Sequence, residues 1–245
     1  MDLLIGLISF VAAFLFALGG VGAAIILIPI LVSLGVPVNI AKPVGLFYNT
    51  VSLAGASIHN VKQKRLDFKT GVPIIVFSLI FAAVGAYISE FIPARIILLL
   101  FIGFLIFSSA MFIFHRKKDE HEYHNEATFL HLSLIGTLAG LLSGMLGIGG
   151  GGIISPLMLM ADFHPKKITT ITAFVVPFSS FFGFLTYWAL GSVNWHILLI
   201  ASFAGVFGAS LGTMFMHNKL NHNTVRKILA VILLLMAIKL ILKIW

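Results

Sequence analysis

The sequence predicts an all-α polytopic membrane protein made of two inverted repeats, each a glycine-broken helical hairpin plus three transmembrane helices. Three observations carry that reading. Of 245 residues, 60% are hydrophobic and only 10% charged, with a mean hydropathy of +1.10, so there is too little polar surface to cover a soluble domain. Six apolar segments, near 41–60, 71–89, 94–114, 168–189, 197–216 and 225–244, match the roughly 20 residues that cross a hydrocarbon core of about 30 Å. Two more, Leu3 to Leu34 and Leu130 to Ala161, are too long for one crossing, since a continuous helix would reach about 48 Å. Glycine runs cut both of them.

Taken in order, Leu3 onward is the first arm of a hairpin, broken at Gly20-Val21-Gly22, and a short helix starting near Ala23 and containing Pro29 is the second. Three full-length helices complete a first repeat over 1–114. Residues 115–127, from His115-Arg116-Lys117-Lys118 through Asn125-Glu126, have the composition of a solvated cytoplasmic linker. The second repeat, 128–245, begins with an arm broken at Gly147-Ile148-Gly149 and a short helix starting near Ile153 and containing Pro156. At one constant offset the halves align without a gap from about Phe16 to Phe91. Gly20 falls on Gly147, Gly22 on Gly149, Pro29 on Pro156, Ser52 on Ser179 and Gly85 on Gly212. Glycines and prolines in register point to internal duplication rather than to chance similarity of apolar stretches.

Basic residues decide how the two long segments run. If each crosses once, Lys and Arg divide nine against seven between the two faces. If each turns back at its glycines, twelve of the 16 fall on one face and only Lys42, Arg95, Lys239 and Lys243 on the other, the bias expected of a cytoplasmic side. A hairpin plus three crossings is an odd number of passages, so the second copy is inverted and both termini face outward. The formal charge of +8 is thereby explained by short loops, with no nucleic-acid partner. The start, Met1-Asp2-Leu3-Leu4, lacks a basic n-region, so the first segment is expected to stay in the protein. Zero cysteines exclude disulfides, iron–sulfur ligation and thiol catalysis.

Broken backbone at membrane depth needs protein or a wet cavity to satisfy it. The helix starts after the two breaks carry partial positive charge, and glycine lets a ligand approach the backbone. Gly20, Gly22, Gly147, Gly149, Gly150 and Gly151 are therefore candidate anion-binding positions. The competing reading is close helix packing, which suits the spacing of Gly136, Gly140 and Gly144. The helix after each hairpin is the most polar. Asn49, Ser52, His59 and Asn60 share one face of the first, and Thr172, Ser179 and Thr186 recur every seven residues in the second. Asn49, Ser52, Thr172 and Ser179 are accordingly candidate substrate contacts, against the alternative that hydroxyls bond back to their own helix. Lys42 either steers anions or snorkels to the headgroups, and His59 either carries a coupled proton or is an interfacial hydrogen-bonding residue.

No cofactor or metal site is expected. His121 and His124 with nearby carboxylates read as surface loop rather than ligands. Gly55-Ala56-Ser57-Ile58-His59 does not reproduce a Gly-x-Ser-Gly protease loop, and His-Glu-x-x-His is absent, so an enzyme is not expected.

The duplicated glycine break followed by a proline, strongest in Gly147-Ile148-Gly149-Gly150-Gly151-Gly152-Ile153-Ile154-Ser155-Pro156, together with Leu66-Asp67-Phe68 and Val193-Asn194-Trp195, resembles the TauE/SafE family of sulfite and organosulfonate exporters over nearly the whole chain. Ala23 and Ala24 stand in the first copy where that family often has glycine. The resemblance implies a secondary transporter, an exporter of small sulfur-containing anions such as sulfite or organosulfonates, in the plasma membrane. Its partners would be the sulfur anion and membrane lipid, with a homodimer admissible. An anion channel or a divalent-metal transporter is the alternative.

Overall fold

The computed structural model describes residues 2–16, 22–62, 67–114, 127–216 and 222–244. Apart from Ala127, the expected linker at 115–127 lies outside the described residues. Within them the chain forms ten helices and no strand: α1 (Asp2–Phe16), α2 (Ala24–Ser33), α3 (Val38–Lys62), α4 (Phe68–Ser89), α5 (Ala94–Phe114), α6 (Phe129–Leu146), α7 (Gly151–Met160), α8 (Pro165–Ala189), α9 (Trp195–Met216) and α10 (His222–Ile244). At the offset that aligns the two halves of the sequence, both ends of α7, α8 and α9 coincide with those of α2, α3 and α4. Among the described residues five helices, α4, α5, α6, α8 and α9, are long and apolar enough to cross a membrane.

Helices α3 and α8 start three residues ahead of their apolar windows, because turn chemistry rather than hydropathy sets their beginnings. The Pro37 carbonyl accepts from both Ile40 and Ala41, while Pro165 sits in the first turn of α8 and His164 Nδ1 accepts from Lys166 N at 3.2 Å. Helix α7 starts at Gly151, two residues before the expected Ile153. Two glycines in a helix cost about 1 kcal/mol each relative to alanine, a penalty that the fully packed surroundings override.

The outer surface is apolar. On α4, Val72, Val76, Ile80, Val84 and Ile88 form an exposed stripe with one residue per turn, and α9 repeats the pattern with Leu199, Phe203, Phe207 and Leu211. Such surfaces suit hydrocarbon, where apolar burial no longer drives helix association and close packing of small residues takes over. The α4–α6 contact is built that way. A Cβ on Gly136 would lie 2.7 Å from the Ile74 carbonyl oxygen, and Cβ atoms on Gly140 and Gly144 would strike the backbone of Ser78 and Ala82. For these three glycines the packing reading is the one the geometry supports.

Polar contacts sort the helix ends. Asp2 meets His196, Lys42 and Ser192 meet Glu90, and Lys243 meets the Val32 carbonyl. One end of the bundle thus gathers the starts of α1, α3 and α9 and the ends of α2, α4 and α8. Because α1 and α3 both set out from this end, α2 must run back toward it, which makes α1 and α2 a hairpin. At the other end Asp67, the N-cap of α4, pairs with Lys167 in the first turn of α8 at 2.6 Å. Helix α6 climbs alongside α4, with Gly136 by Ile74 and Gly144 by Ala82, so α6 and α8 both start here and α7 turns back between them.

At the centre α3 and α8 cross antiparallel. Gly183 abuts Leu46, the Phe47 and Phe184 rings meet at a tilt of 53° with centroids 4.8 Å apart, and Thr50 Oγ1 reaches the Pro177 carbonyl at 3.4 Å. Thr50 and Pro177 coincide when the halves are aligned, so this contact joins equivalent positions of the two repeats.

Candidate functional site

The two hairpin tips meet at Asn49, midway along α3. Its side chain is fully buried; Oδ1 accepts from Ala24 N, the first residue of α2, at 3.0 Å, and Nδ2 donates to the Ile148 carbonyl in the break between α6 and α7 at 2.5 Å. One side chain therefore satisfies backbone groups in both breaks, as dry surroundings require. The tip glycines are there for conformation and space. Gly22 has φ +87° and Gly149 φ +66°, left-handed values that penalise any side chain, and a Cβ on either would fall within 3 Å of the Asn49 amide.

Gly147 closes α6. It is the left-handed C-cap with φ +77°, its N–H bonding the Ser143 carbonyl at 2.8 Å, and a Cβ there would lie 2.5 Å from Lys42 Cα. Gly150 precedes α7 and Gly151 opens it. The first bonds back into this helix come from Ile153 and Ile154 N–H to the Gly150 carbonyl.

Of the hydroxyl candidates, Ser179 stands nearest to a tip: a Cβ on Gly150 would lie 3.5 Å from its Oγ, which donates to its own helix at Val176 O, 3.3 Å away. Thr172 is buried and donates to the Ile168 carbonyl at 2.9 Å, the back-bonded arrangement. Ser52 Oγ is buried without a hydrogen-bond partner among the described residues and stands against Gly205 of α9. Gly20 and the His59 side chain lie outside the described residues.

Lys42 is buried within the bundle. It is 3% exposed, donating from Nζ to Ser89 Oγ at 2.9 Å, 3.7 Å from Glu90 Oε1 and 4.9 Å from the centre of the Tyr187 ring. Ser89 Oγ lies 2.6 Å from Tyr187 Oη, which donates to the Gly144 carbonyl in the last turn of α6. An ammonium in a bilayer needs such partners, and the carboxylate, hydroxyl and ring come from α8 and the end of α4. Helix α3 places Lys42 against Gly147, turned into the bundle rather than onto its outer face.

At the opposite end, partial burial of Asp67 opposes its ionisation, but the Lys167 ammonium and the Thr70 hydroxyl and N–H outweigh this and hold the carboxyl below its ordinary value. Helix α4 is thus tied by an ion pair at each end.

Ser180 went unnoticed in the sequence. It is fully buried, its Oγ has no hydrogen-bond partner among the described residues, and a Cβ on Gly149 would lie 2.5 Å from it. The available signal was its spacing: Ser180 lies one turn beyond Val176, the repeat equivalent of Asn49, and Val176 also touches Gly149. The heptad from Thr172 to Ser179 drew attention to the neighbouring residue instead.

A groove of about 520 Å³ lies elsewhere, between Val51 and the α9 residues Leu199, Ile200, Ser202, Phe203 and Val206. It is almost wholly apolar and its rim residues Leu199 and Phe203 are exposed, so it belongs to the lipid-facing surface.

Comparison with known proteins identifies the family. A family model described as sulfite exporter TauE/SafE matches residues 5–240. A probable membrane transporter protein of Methanocaldococcus jannaschii is 26% identical over 222 residues, 84% of this chain and 83% of the relative. The probable membrane transporter protein YunE of Bacillus subtilis is 25% identical over 248 residues, 91% of this chain and 90% of that one. A shorter stretch of 85 residues is 40% identical to sulfite exporter TauE/SafE family protein 6 of Arabidopsis thaliana, covering 35% of this chain and 20% of that protein. No solved structure matches the chain significantly. With only helices as regular structure among its described residues, an apolar outer surface and a family match over residues 5–240, the chain belongs to the TauE/SafE family of membrane transporters.

Proposed function

We propose that the protein is a secondary transporter, an exporter of small sulfur-containing anions such as sulfite or organosulfonates, that binds the anion where the broken helices meet and works by alternating access. The observation that carries this reading is the junction at Asn49, where two interrupted helices come together midway along α3 in buried surroundings. A membrane protein places such breaks where a ligand uses the freed backbone groups and the positive ends of short helices. Gly149, Gly150, Gly151 and Ser179 line the α7 side of this junction, and Gly22 and Asn49 the α2 side.

Alternating access is favoured by the course of the chain. Equivalent helices α3 and α8 cross antiparallel, which suits inverted repeats exchanging conformations about a fixed site, and the ion pairs Lys42–Glu90 and Lys167–Asp67 close α4 onto both of them at opposite ends. In this reading the repeats span 1–114 and 128–245, the membrane is the plasma membrane, and both termini face outward. A cytoplasm-dependent reporter fused after Trp245 is then silent, and strong signal there overturns the orientation.

The experiment for function is sulfite efflux from proteoliposomes loaded over a concentration series. Flux that saturates supports a carrier. Flux that rises linearly without saturating favours a channel, and nickel movement without sulfite movement favours metal transport.

A further inference from the structure

The two helix starts at the junction are not equivalent. At α2 the Ala24 N–H is already taken by Asn49 Oδ1, an acceptor oxygen standing where an anion would have to stand. At α7 no side chain among the described residues caps the start, and Gly151 and Gly152 precede Ile153 and Ile154, the first residues to bond back to Gly150, so their N–H groups lie ahead of the helix's own ladder.

Two side-chain donors converge on that open start. The point a Gly149 Cβ would occupy is 2.5 Å from Ser180 Oγ and 2.5 Å from Asn49 Nδ2. The Ser180 hydroxyl is fully buried and unpartnered. The Asn49 amide carries two N–H groups and uses one on the Ile148 carbonyl, leaving the other unassigned. A buried hydroxyl left without a partner is unusual, because its desolvation is uncompensated until something accepts from it. The internal duplication does not reproduce this set: at the equivalent positions Leu53 matches Ser180 and Val176 matches Asn49. Among the described residues the donors gather at the second tip only.

We propose that each chain carries one anion site, at the α7 start, with Ser180 Oγ–H and the spare Asn49 N–H as side-chain donors to a compact oxyanion head whose oxygens sit on one sulfur, a sulfite or a sulfonate. This deepens the transport reading above and rests on it. Asn49 occupies the α2 start itself, which restricts the two-tip site suggested by the symmetry of the sequence to a single tip. Glycine is required at 149 because a Cβ there would collide with both donors, 2.5 Å from Ser180 Oγ and from Asn49 Nδ2. Longer parts of an organosulfonate extend away from the junction.

The test is calorimetric titration of the detergent-purified full chain with sulfite and with methanesulfonate, with thermal unfolding of each variant recorded without anion. Wild type binds one anion per chain. Ser180→Ala binds roughly tenfold or more weakly, the weight of a lost hydrogen bond to a charged group. Its anion-free melting temperature stays at or above that of wild type, since the hydroxyl has no protein partner to lose. Ser202→Ala, which removes another unpartnered buried hydroxyl, binds as wild type does. Unchanged binding by Ser180→Ala, or two anions per chain, overturns the site assignment and leaves the transport reading standing. A clearly lower anion-free melting temperature for Ser180→Ala assigns the hydroxyl to structure and overturns it likewise. No binding of either probe by wild type overturns both.

Discussion

Replacing Asn49 with leucine tests the centre of the architecture, because the two side chains are nearly equal in size and differ in what they can bond. The change removes the acceptor for Ala24 N and the donor to the Ile148 carbonyl, leaving two backbone groups unpaired at a position with no solvent access. An unsatisfied buried group costs about 1–3 kcal/mol, so the pair amounts to about 2–6 kcal/mol. In a protein of this size 1 kcal/mol moves the melting temperature by about 2–4 °C, and even the lower bound is therefore a shift of roughly 4 °C or more. The assay is thermal unfolding in detergent of wild type, Asn49→Leu and Val176→Leu, the last altering the equivalent position of the second repeat, which makes no hydrogen bond with its side chain. Asn49→Leu should melt well below Val176→Leu. An Asn49→Leu melting temperature indistinguishable from wild type would refute the claim that this side chain ties the two breaks together.

Two further outcomes follow from the packing and the charges. Gly144→Val drives a branched side chain into the backbone of Ala82, with Ala86 N 2.8 Å from its Cβ, and should destabilise at or beyond the upper end of the about 1–3 kcal/mol typical of overpacking. Gly103→Val, on an α5 face with nothing within 4 Å, should change the melting temperature far less, and equal shifts would sink the α4–α6 contact. Asp67 has a carboxyl held below the ordinary aspartate value of 3.8, so its pairing stabilises the protein above that value and is lost as pH falls through the lower folded one. The melting-temperature gap between wild type and Asp67→Asn should stay constant from pH 8 to about 5 and shrink below about 4. A gap that instead opens on acidification has the wrong sign for this ion pair.

How much of this was legible in the chain depends on the type of signal. Hydropathy located every long helix, and the glycine runs marked both breaks to within two residues. Helix starts slipped where Pro37, His164 and Pro165 set the first turn ahead of the apolar window. Among candidate site residues, Gly22, Asn49, Gly147, Gly149, Gly150, Gly151 and Ser179 do gather at the tips. Thr172 and Ser52 are turned elsewhere, since a helical face tells which residues share a direction and not which neighbour stands there. The surroundings of Lys42 were out of reach for the same reason: its partners Ser89, Glu90 and Tyr187 belong to the end of α4 and to α8, far along the chain and beyond any local pattern.

Composition, segment length and the constant offset between the halves are properties of the covalent chain, and they suffice for a duplicated helical membrane protein with a break in each half. The duplication could not reveal that Asn49 caps α2 while α7 stays open, or that Ser180 faces Gly149. Those facts arise where α3 and α8 cross, and the different residues at equivalent positions, Val176 for Asn49 and Leu53 for Ser180, make two halves of matching helix pattern chemically different only once they are brought face to face.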